Sequence, residues 1–305
     1  MTTQHNDDPH RLASAAVVVG TDGSEAADLA VRWAAETASQ RHRRLRIVYG
    51  LDLAAAQAVM GSYNLMVPAV IDAMRDQGAH AVRTARRLAH DIDPGLTVET
   101  EVSEESPAAL LIRHSKSAYL VAIGAAGEGG TISHLGSTLL AVASHGHGAV
   151  VVVRDTGTEQ QTRHLGPVVV GVDGSPVSEA AVGAAFAEAS DRKTQLVAVH
   201  AWSDLHFDRF AGMPNAIPDR DVAAQAEQTL AEQLAGWQEK YPDVKVIRKV
   251  YLSGPSHHLL EWSRSAQLLV VGSRGRGGFR GLLLGSTSNG LVQYAHCPVM
   301  VVHSH

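Results

Sequence analysis

Residue types that bind phosphate are concentrated in residues 272–287, which read GSRGRGGFRGLLLGST. Glycines let a ligand approach bare backbone N–H groups. Arg274 and Arg276 add permanently charged guanidinium groups, whose planar shape suits phosphate oxygens. The segment therefore predicts a phosphate-binding loop, called here the glycine-rich loop.

The loop is predicted to lie between a strand and a helix. Residues 266–271 form an apolar run typical of a buried parallel strand, and residues 287–294 have helical composition with Ser286 as a candidate cap. The start of a helix carries unpaired N–H groups and partial positive charge. A strand, a glycine-rich loop and a helix N-terminus together indicate an anion-binding site.

The chain is a tandem duplication. Residues 17–24 read VVVGTDGS and recur as VVVGVDGS at 168–175, an offset of 151 (173 minus 22). The polar segment 155–163 separates the two copies and has the composition of a linker. We therefore predict two domains, residues 11–155 and residues 164–305.

Each copy alternates apolar strand signals with helical stretches, which in the first copy are predicted at 24–40, 69–90 and 107–117. The pattern predicts the α/β fold class, with two tandem doubly wound parallel five-stranded sheets of Rossmann-like strand order 3-2-1-4-5, related by pseudo-twofold symmetry. Strands are expected at 15–20, 45–49, 96–102, 119–124 and 149–153, then at 168–171, 195–200, 244–250, 268–272 and 298–303.

In such sheets ligands bind at the carboxyl ends of the strands, where the strand order reverses. Asp173 follows the first strand of the second copy and the glycine-rich loop follows the fourth, so we expect them to share a crevice. Residues 200–202, at the end of the second strand, would form another wall. A nucleotide fits this arrangement, with Asp173 near the ribose or a magnesium ion; these two roles stay open, and Asp173 could also be a turn residue.

Composition limits the classes of partner. The 305 residues carry a net charge of −5, so we expect neither nucleic acid nor an anionic membrane as a partner. One cysteine, Cys297, fits a reducing compartment, and the polar start of the chain lacks an apolar signal segment, so we expect a cytoplasmic protein. The pair His145 and His147 lies in a glycine-containing turn without a nearby carboxylate or cysteine, so a metal site is not favoured.

With its repeated VGxDGS strand ends, the chain resembles the tandem form of the universal stress protein family. The family's ATP-binding pattern G-x2-G-x9-G-[ST] is matched by Gly272, Gly275, Gly285 and Ser286. The resemblance implies an ATP-binding, stress-response regulator that acts through nucleotide occupancy and is not an enzyme. By position, it implies ATP contacts at Gly171, Asp173, Ala201, Gly272, Ser273, Arg274, Gly275, Arg276, Gly277, Gly278, Gly285, Ser286 and Thr287.

The same resemblance carries expectations about partners. It implies that the last strands of the domains pair, within one chain or between two chains of a homodimer. Mg²⁺ could accompany the ATP phosphates, and a regulatory protein partner is expected, although the sequence does not identify it.

The first copy departs from this pattern. Its loop is one residue shorter, and Ala126 and Glu128 stand where the second copy has arginines. A carboxylate 4 Å from a phosphate charge costs about 4 kcal/mol at an effective dielectric constant of 20. We therefore expect this site to bind ATP weakly or not at all, even though it keeps Gly20, Asp22, Gly124, Gly127, Gly136 and Ser137.

Two alternatives remain from other classes. The chain contains neither G-x4-G-K-[ST] nor G-x-S-x-G, which disfavours a P-loop NTPase and a serine hydrolase. A slow ATPase is one alternative, because Arg274, Arg276 and the helix start could stabilise charge on phosphate. The other is an interaction scaffold in which neither site binds nucleotide and the last strands mediate dimerisation.

Overall fold

The computed structural model describes residues 15–60, 67–125, 136–155, 164–203, 220–275 and 284–303. The chain divides into two compact units, residues 1–124 and 125–305. This division precedes the linker between the sequence repeats, because the last strand of the first repeat pairs with the last strand of the chain.

The first unit contains a parallel sheet of the order β3-β2-β1-β4. Its strands are β1 (Val17–Gly20), β2 (Leu45–Gly50), β3 (Val98–Ser103) and β4 (Leu120–Gly124). The helices are α1 (Glu25–Gln40), α2 (Leu53–Met60), α3 (Val67–Ile92) and α4 (Pro107–Ser115).

Helix α1 begins at a clear chemical signal and packs closely on β4. Ser24 accepts a hydrogen bond from the Ala27 N–H at its Oγ (3.2 Å), and Glu25 and Asp28 place negative charge in the first turn. The helix comes so close to the strand that a Cβ added to Gly124 would overlap the Ala26 carbonyl oxygen. The glycine that ends β4 therefore lets α1 pack against the sheet.

The second unit contains a sheet of the order β5-β10-β9-β6-β7-β8, parallel except for the pair β5 and β10. Its strands are β5 (Ala149–Val153), β6 (Val168–Val172), β7 (Leu196–Ser203), β8 (Val246–Ser253), β9 (Leu268–Gly272) and β10 (Val299–Val302). Its helices are α5 (Ser137–His145), α6 (Pro176–Asp191), α7 (Arg220–Lys240), α8 (Pro255–Ser263) and α9 (Ser286–Tyr294).

The antiparallel pair of β5 and β10 is symmetric. Val151 lies opposite its repeat equivalent Met300, and the ladder runs from the pair of Val152 and Val299 to the pair of Ala149 and Val302. Strand β10 also pairs with β9, so both of its hydrogen-bonding edges are occupied. The last strands of the two repeats thus pair within this one chain, as the resemblance implied.

The predicted fold class is confirmed. The strand order 3-2-1-4-5 appears in the second repeat as β8-β7-β6-β9-β10, and the first four strands of the first repeat follow the same order. Two helices, α2 and α5, were not predicted from the sequence. Helix α2 is short and rich in alanine, so its apolar period is weak.

Candidate functional site

The carboxyl ends of β6 and β9 lie side by side. These strands pair in parallel, with Val170 opposite Val270, so Asp173 and the glycine-rich loop leave the sheet at the same edge. Open α/β sheets bind ligands at this edge. The structure therefore brings Asp173 and the described part of the loop together.

Asp173 is held against the loop by its neighbours. Its backbone N–H donates to Ser178 Oγ (3.0 Å), and its Oδ1 accepts from the Ser175 N–H (2.9 Å). Its Oδ2 lies so close to Gly275 that an added Cβ would overlap it. One carboxylate oxygen is thus fixed in a turn, and the other lies on the bare backbone of the loop.

The two described ends of the loop are joined by backbone hydrogen bonds. The Gly285 N–H donates to the Ser273 carbonyl (2.8 Å), and the Ser273 N–H donates to the Val302 carbonyl (2.8 Å). Ser273 is buried, whereas Arg274 is exposed. These contacts anchor the loop to β10 and leave the guanidinium of Arg274 accessible at its start.

Helix α9 follows the loop and directs its N-terminus to the same edge. The predicted capping role of Ser286 is wrong, because the cap residue is Gly285 and no side chain caps the helix. Ser286 is instead the first helical residue and is exposed. Ser288 donates from Oγ to the Gly272 carbonyl (2.6 Å), which fixes the helix to the end of β9. An uncapped helix start leaves N–H groups for an anion.

The other predicted contacts are spread around this crevice. Gly171 lies within β6, and its missing side chain leaves room for Leu259 of α8. Ala201 is half-buried on β7, one residue beyond His200, which lies opposite Val172. Thr287 lies in the first turn of α9. Arg276, Gly277 and Gly278 lie outside the described residues.

Two residues at the site, Ser178 and His303, were not singled out from the sequence. Ser178 is buried in α6, and its hydroxyl accepts a hydrogen bond from the Asp173 N–H. The equivalent residue of the first repeat is Ala27, so a comparison of the two repeats could have identified Ser178. His303 follows β10, and His147 and Arg274 act electrostatically on it. Residues 147 and 303 come together only through the pairing of β5 and β10, which local sequence patterns do not encode.

The first repeat keeps only part of this arrangement. Asp22 accepts the Ser24 N–H at Oδ1 (2.9 Å), as Asp173 accepts Ser175, and Gly20 and Gly124 end their strands. Burial raises the pKa of Tyr49, and the Asp22 carboxylate raises it further. Gly136 and Ser137 begin α5 in the second unit, and Gly127 lies outside the described residues.

His303 has a strongly shifted titration. Burial lowers its pKa most, His147, Arg274 and His145 also lower it, and a hydrogen bond to the Ala143 carbonyl raises it, so that the net pKa is about 4. The neutral ring is therefore the stable form in the folded protein near neutral pH.

This shift predicts acid sensitivity. The unfolded chain binds a proton at His303 near pH 6.5 and the folded chain only near pH 4, so stability is lost as the pH falls through that window. Because His303 is partly exposed, we reduce the expected effect to about 1 kcal/mol. Between pH 7 and pH 5, the free energy of unfolding measured with urea should fall by about 1 kcal/mol more in the unsubstituted protein than in His303→Gln. His80→Gln, which changes an exposed histidine of α3, should behave like the unsubstituted protein. Equal losses in all three proteins would contradict the shift.

The described residues contain neither a metal-binding cluster nor a membrane-spanning helix. Among the described residues, no group of three or more histidine, cysteine, aspartate or glutamate side chains is arranged to hold a metal ion. In the same part of the chain, no helix combines the length and apolar character needed to cross a bilayer.

Known proteins share both the sequence pattern and the fold. The profile of the universal stress protein family matches residues 15–154 and 165–303. A universal stress protein of Mycolicibacterium smegmatis is 41% identical over 292 residues, which cover 94% of this chain and 96% of that protein. One from Mycobacterium tuberculosis is 39% identical over 293 residues, covering 95% and 96%. The crystal structure of a universal stress protein from Archaeoglobus fulgidus matches with a TM-score of 0.68 at 17% identity, covering 94% of this chain and 98% of that one.

Proposed function

The chain belongs to the universal stress protein family, and we propose that it binds ATP at the glycine-rich loop of its second repeat and regulates the stress response through nucleotide occupancy. The observation that carries this proposal is the position of Asp173 Oδ2 on the bare backbone of Gly275. A carboxylate beside the loop can hold a ribose or a metal ion while the loop holds phosphate.

The donors around the loop fit a polyphosphate. Helix α9 begins without a side-chain cap, so its first N–H groups can donate to phosphate oxygens. Arg274 adds an exposed guanidinium group at the start of the loop. Mg²⁺, when it accompanies ATP, would neutralise phosphate charge, and Asp173 is the residue that could contact it.

Binding without dedicated catalysis is the function that these groups support best. A catalytic base must reach the proton of the attacking water. The Asp173 carboxylate lies against the loop backbone, and its Oδ1 is already bound to the Ser175 N–H. We therefore infer that ATP acts as a ligand whose presence changes the surface offered to a protein partner.

The strand pairing constrains any homodimer. Both edges of β10 are occupied within the chain, by β5 and β9. A second chain would therefore have to bind at a position other than β10, and the scaffold alternative loses this strand as its docking element.

Calorimetric titration with ATP and Mg²⁺ tests the proposal. We expect one ATP per chain, and about tenfold weaker binding in Asp173→Ala, because a contact to the nucleotide of about 1.4 kcal/mol is lost. Asp22→Ala is the matched control, because Asp22 makes the same turn in the first repeat; its ATP affinity should be unchanged. Absence of ATP binding in the unsubstituted protein would refute the proposed function, and two ATP per chain would refute the difference between the repeats.

A further inference from the structure

Arg154 and His303 occupy equivalent positions in the two repeats. Each residue directly follows the last strand of its repeat, β5 or β10, and the two are 149 positions apart (303 minus 154). Because β5 and β10 pair symmetrically about Val151 and Met300, each of these residues extends toward the last helix of the other repeat.

Both residues make the same contact with that helix. Arg154 is buried and donates from Nη2 to the Val292 carbonyl of α9. The ring of His303 makes a hydrogen bond to the Ala143 carbonyl of α5, which is the equivalent position (292 minus 143 is again 149). The first repeat thus fills this position with a permanent cation, and the second fills it with a side chain that can gain or lose a proton.

His303 lies directly beside the glycine-rich loop. The residue before it, Val302, accepts the Ser273 N–H at its carbonyl, and Arg274 is the next residue of the loop. His303 N–H in turn donates to the Gly148 carbonyl (2.8 Å), which places the turn between α5 and β5 against the same edge. Residues from both repeats therefore meet at the start of the loop.

The groups that act most strongly on His303 are basic. They are His147 from the turn, His145 from α5 and Arg274 from the loop, and the Ala143 carbonyl is the one neutral dipole among them. Within the described part of the chain, the buried Nε2 of His303 has no hydrogen-bond partner. A cluster of bases with an unsatisfied ring nitrogen suits an anion, and the described residues offer no arrangement for a metal.

We propose that His303, with Arg274 and His147, forms an anion-binding flank of the glycine-rich loop, and that a phosphate group of the nucleotide binds there with uptake of a proton at His303. This inference rests on the proposed function, because the nucleotide supplies the anion. A negative charge favours the protonated imidazole, and by linkage the protonated imidazole favours the anion. ATP affinity should therefore rise as the pH falls.

The test is the ATP dissociation constant at pH 8 and pH 6 in the unsubstituted protein and in His303→Gln. Glutamine keeps a donor for the Ala143 carbonyl but cannot be protonated, and the titration of ATP itself is the same for both proteins and cancels. If the pKa of His303 rises to about 7 in the ATP complex, the gain in ATP affinity from pH 8 to pH 6 should be about tenfold larger in the unsubstituted protein than in the variant. Equal gains would overturn the inference while leaving ATP binding intact, whereas no ATP binding at either pH would refute the proposed function.

Two further measurements separate an anion contact from an effect on folding. Adenosine lacks phosphate, so the change in its affinity between pH 8 and pH 6 should be the same in the two proteins. If the two proteins differed with adenosine as much as with ATP, the anion site would be contradicted. Proton NMR of the unsubstituted protein needs no variant: at pH 6 the His303 ring resonance should move toward its protonated position when ATP saturates the site. A resonance that ATP leaves unchanged would also overturn the inference.

Discussion

Replacing Gly275 with alanine should lower the ATP affinity of the second repeat about tenfold, or about 1.4 kcal/mol, as in Asp173→Ala. The added Cβ would overlap Asp173 Oδ2, so the carboxylate must leave its position or the loop must move. Gly275 is not among the described glycines with positive φ, so its backbone conformation tolerates alanine. The loss of ATP affinity therefore comes from the space that the added methyl group fills. Calorimetric titration with ATP and Mg²⁺ measures it.

Gly290→Ala is the control for this effect. Gly290 lies in α9, close to the same loop, but a Cβ there would meet no atom within 4 Å. Alanine also favours a helix interior over glycine by about 1 kcal/mol, so the fold should not suffer. ATP affinity should be unchanged in this variant. Full affinity in Gly275→Ala would show that the nucleotide does not approach this part of the backbone.

Replacing Gly124 with alanine should destabilise the first unit by about 3 kcal/mol. The new methyl group would overlap the carbonyl oxygen of Ala26, which is backbone in the first turn of α1 and cannot rotate away. The helix would have to move off the sheet, and overpacking of this kind is among the larger single-residue effects. Hydrogen exchange in peptides from β1 and α1 measures the loss for this unit alone.

Gly272→Ala gives the matched comparison in the second repeat. There the nearest atom to an added Cβ is Val177 Cγ1, at 2.9 Å, which belongs to a side chain that can change rotamer. Backbone atoms of Arg274 and Val177 lie at 3.1 and 3.2 Å, so some strain remains. We expect a loss of about 1 kcal/mol in the second unit. A larger loss in Gly272→Ala than in Gly124→Ala would contradict this account of the close approach of α1 to β4.

The fold could be predicted because its signals are local or repeated. Apolar strands without alternation, separated by helices, indicate buried parallel sheets. The recurrence of VVVGxDGS at 17–24 and 168–175 then fixes corresponding strands in the two repeats. The pairing of Asp173 with the loop followed from strand order alone, because strands 1 and 4 are neighbours in that order.

What could not be predicted depends on tertiary register. The cap of α9 was placed one residue too late, because Gly285 and Ser286 both suit that position and the backbone geometry chooses between them. The positions of His147 and His303 depend on which residues of β5 and β10 face each other across the antiparallel pair. Sequence shows that both strands are buried, but a ladder of valines does not specify its own register.

The symmetric ladder of β5 and β10 also sets an order of events during synthesis. Val152 and Val299, its partners closest in sequence, are 147 residues apart (299 minus 152). Because translation starts at the N-terminus, β5 leaves the ribosome before β10 has been synthesised. Domains generally fold in the order of their synthesis, but β5 must wait for β10 before it gains this partner. Loss of β10 would therefore affect both repeats, and a product truncated before β10 would expose the β5 edge to aggregation.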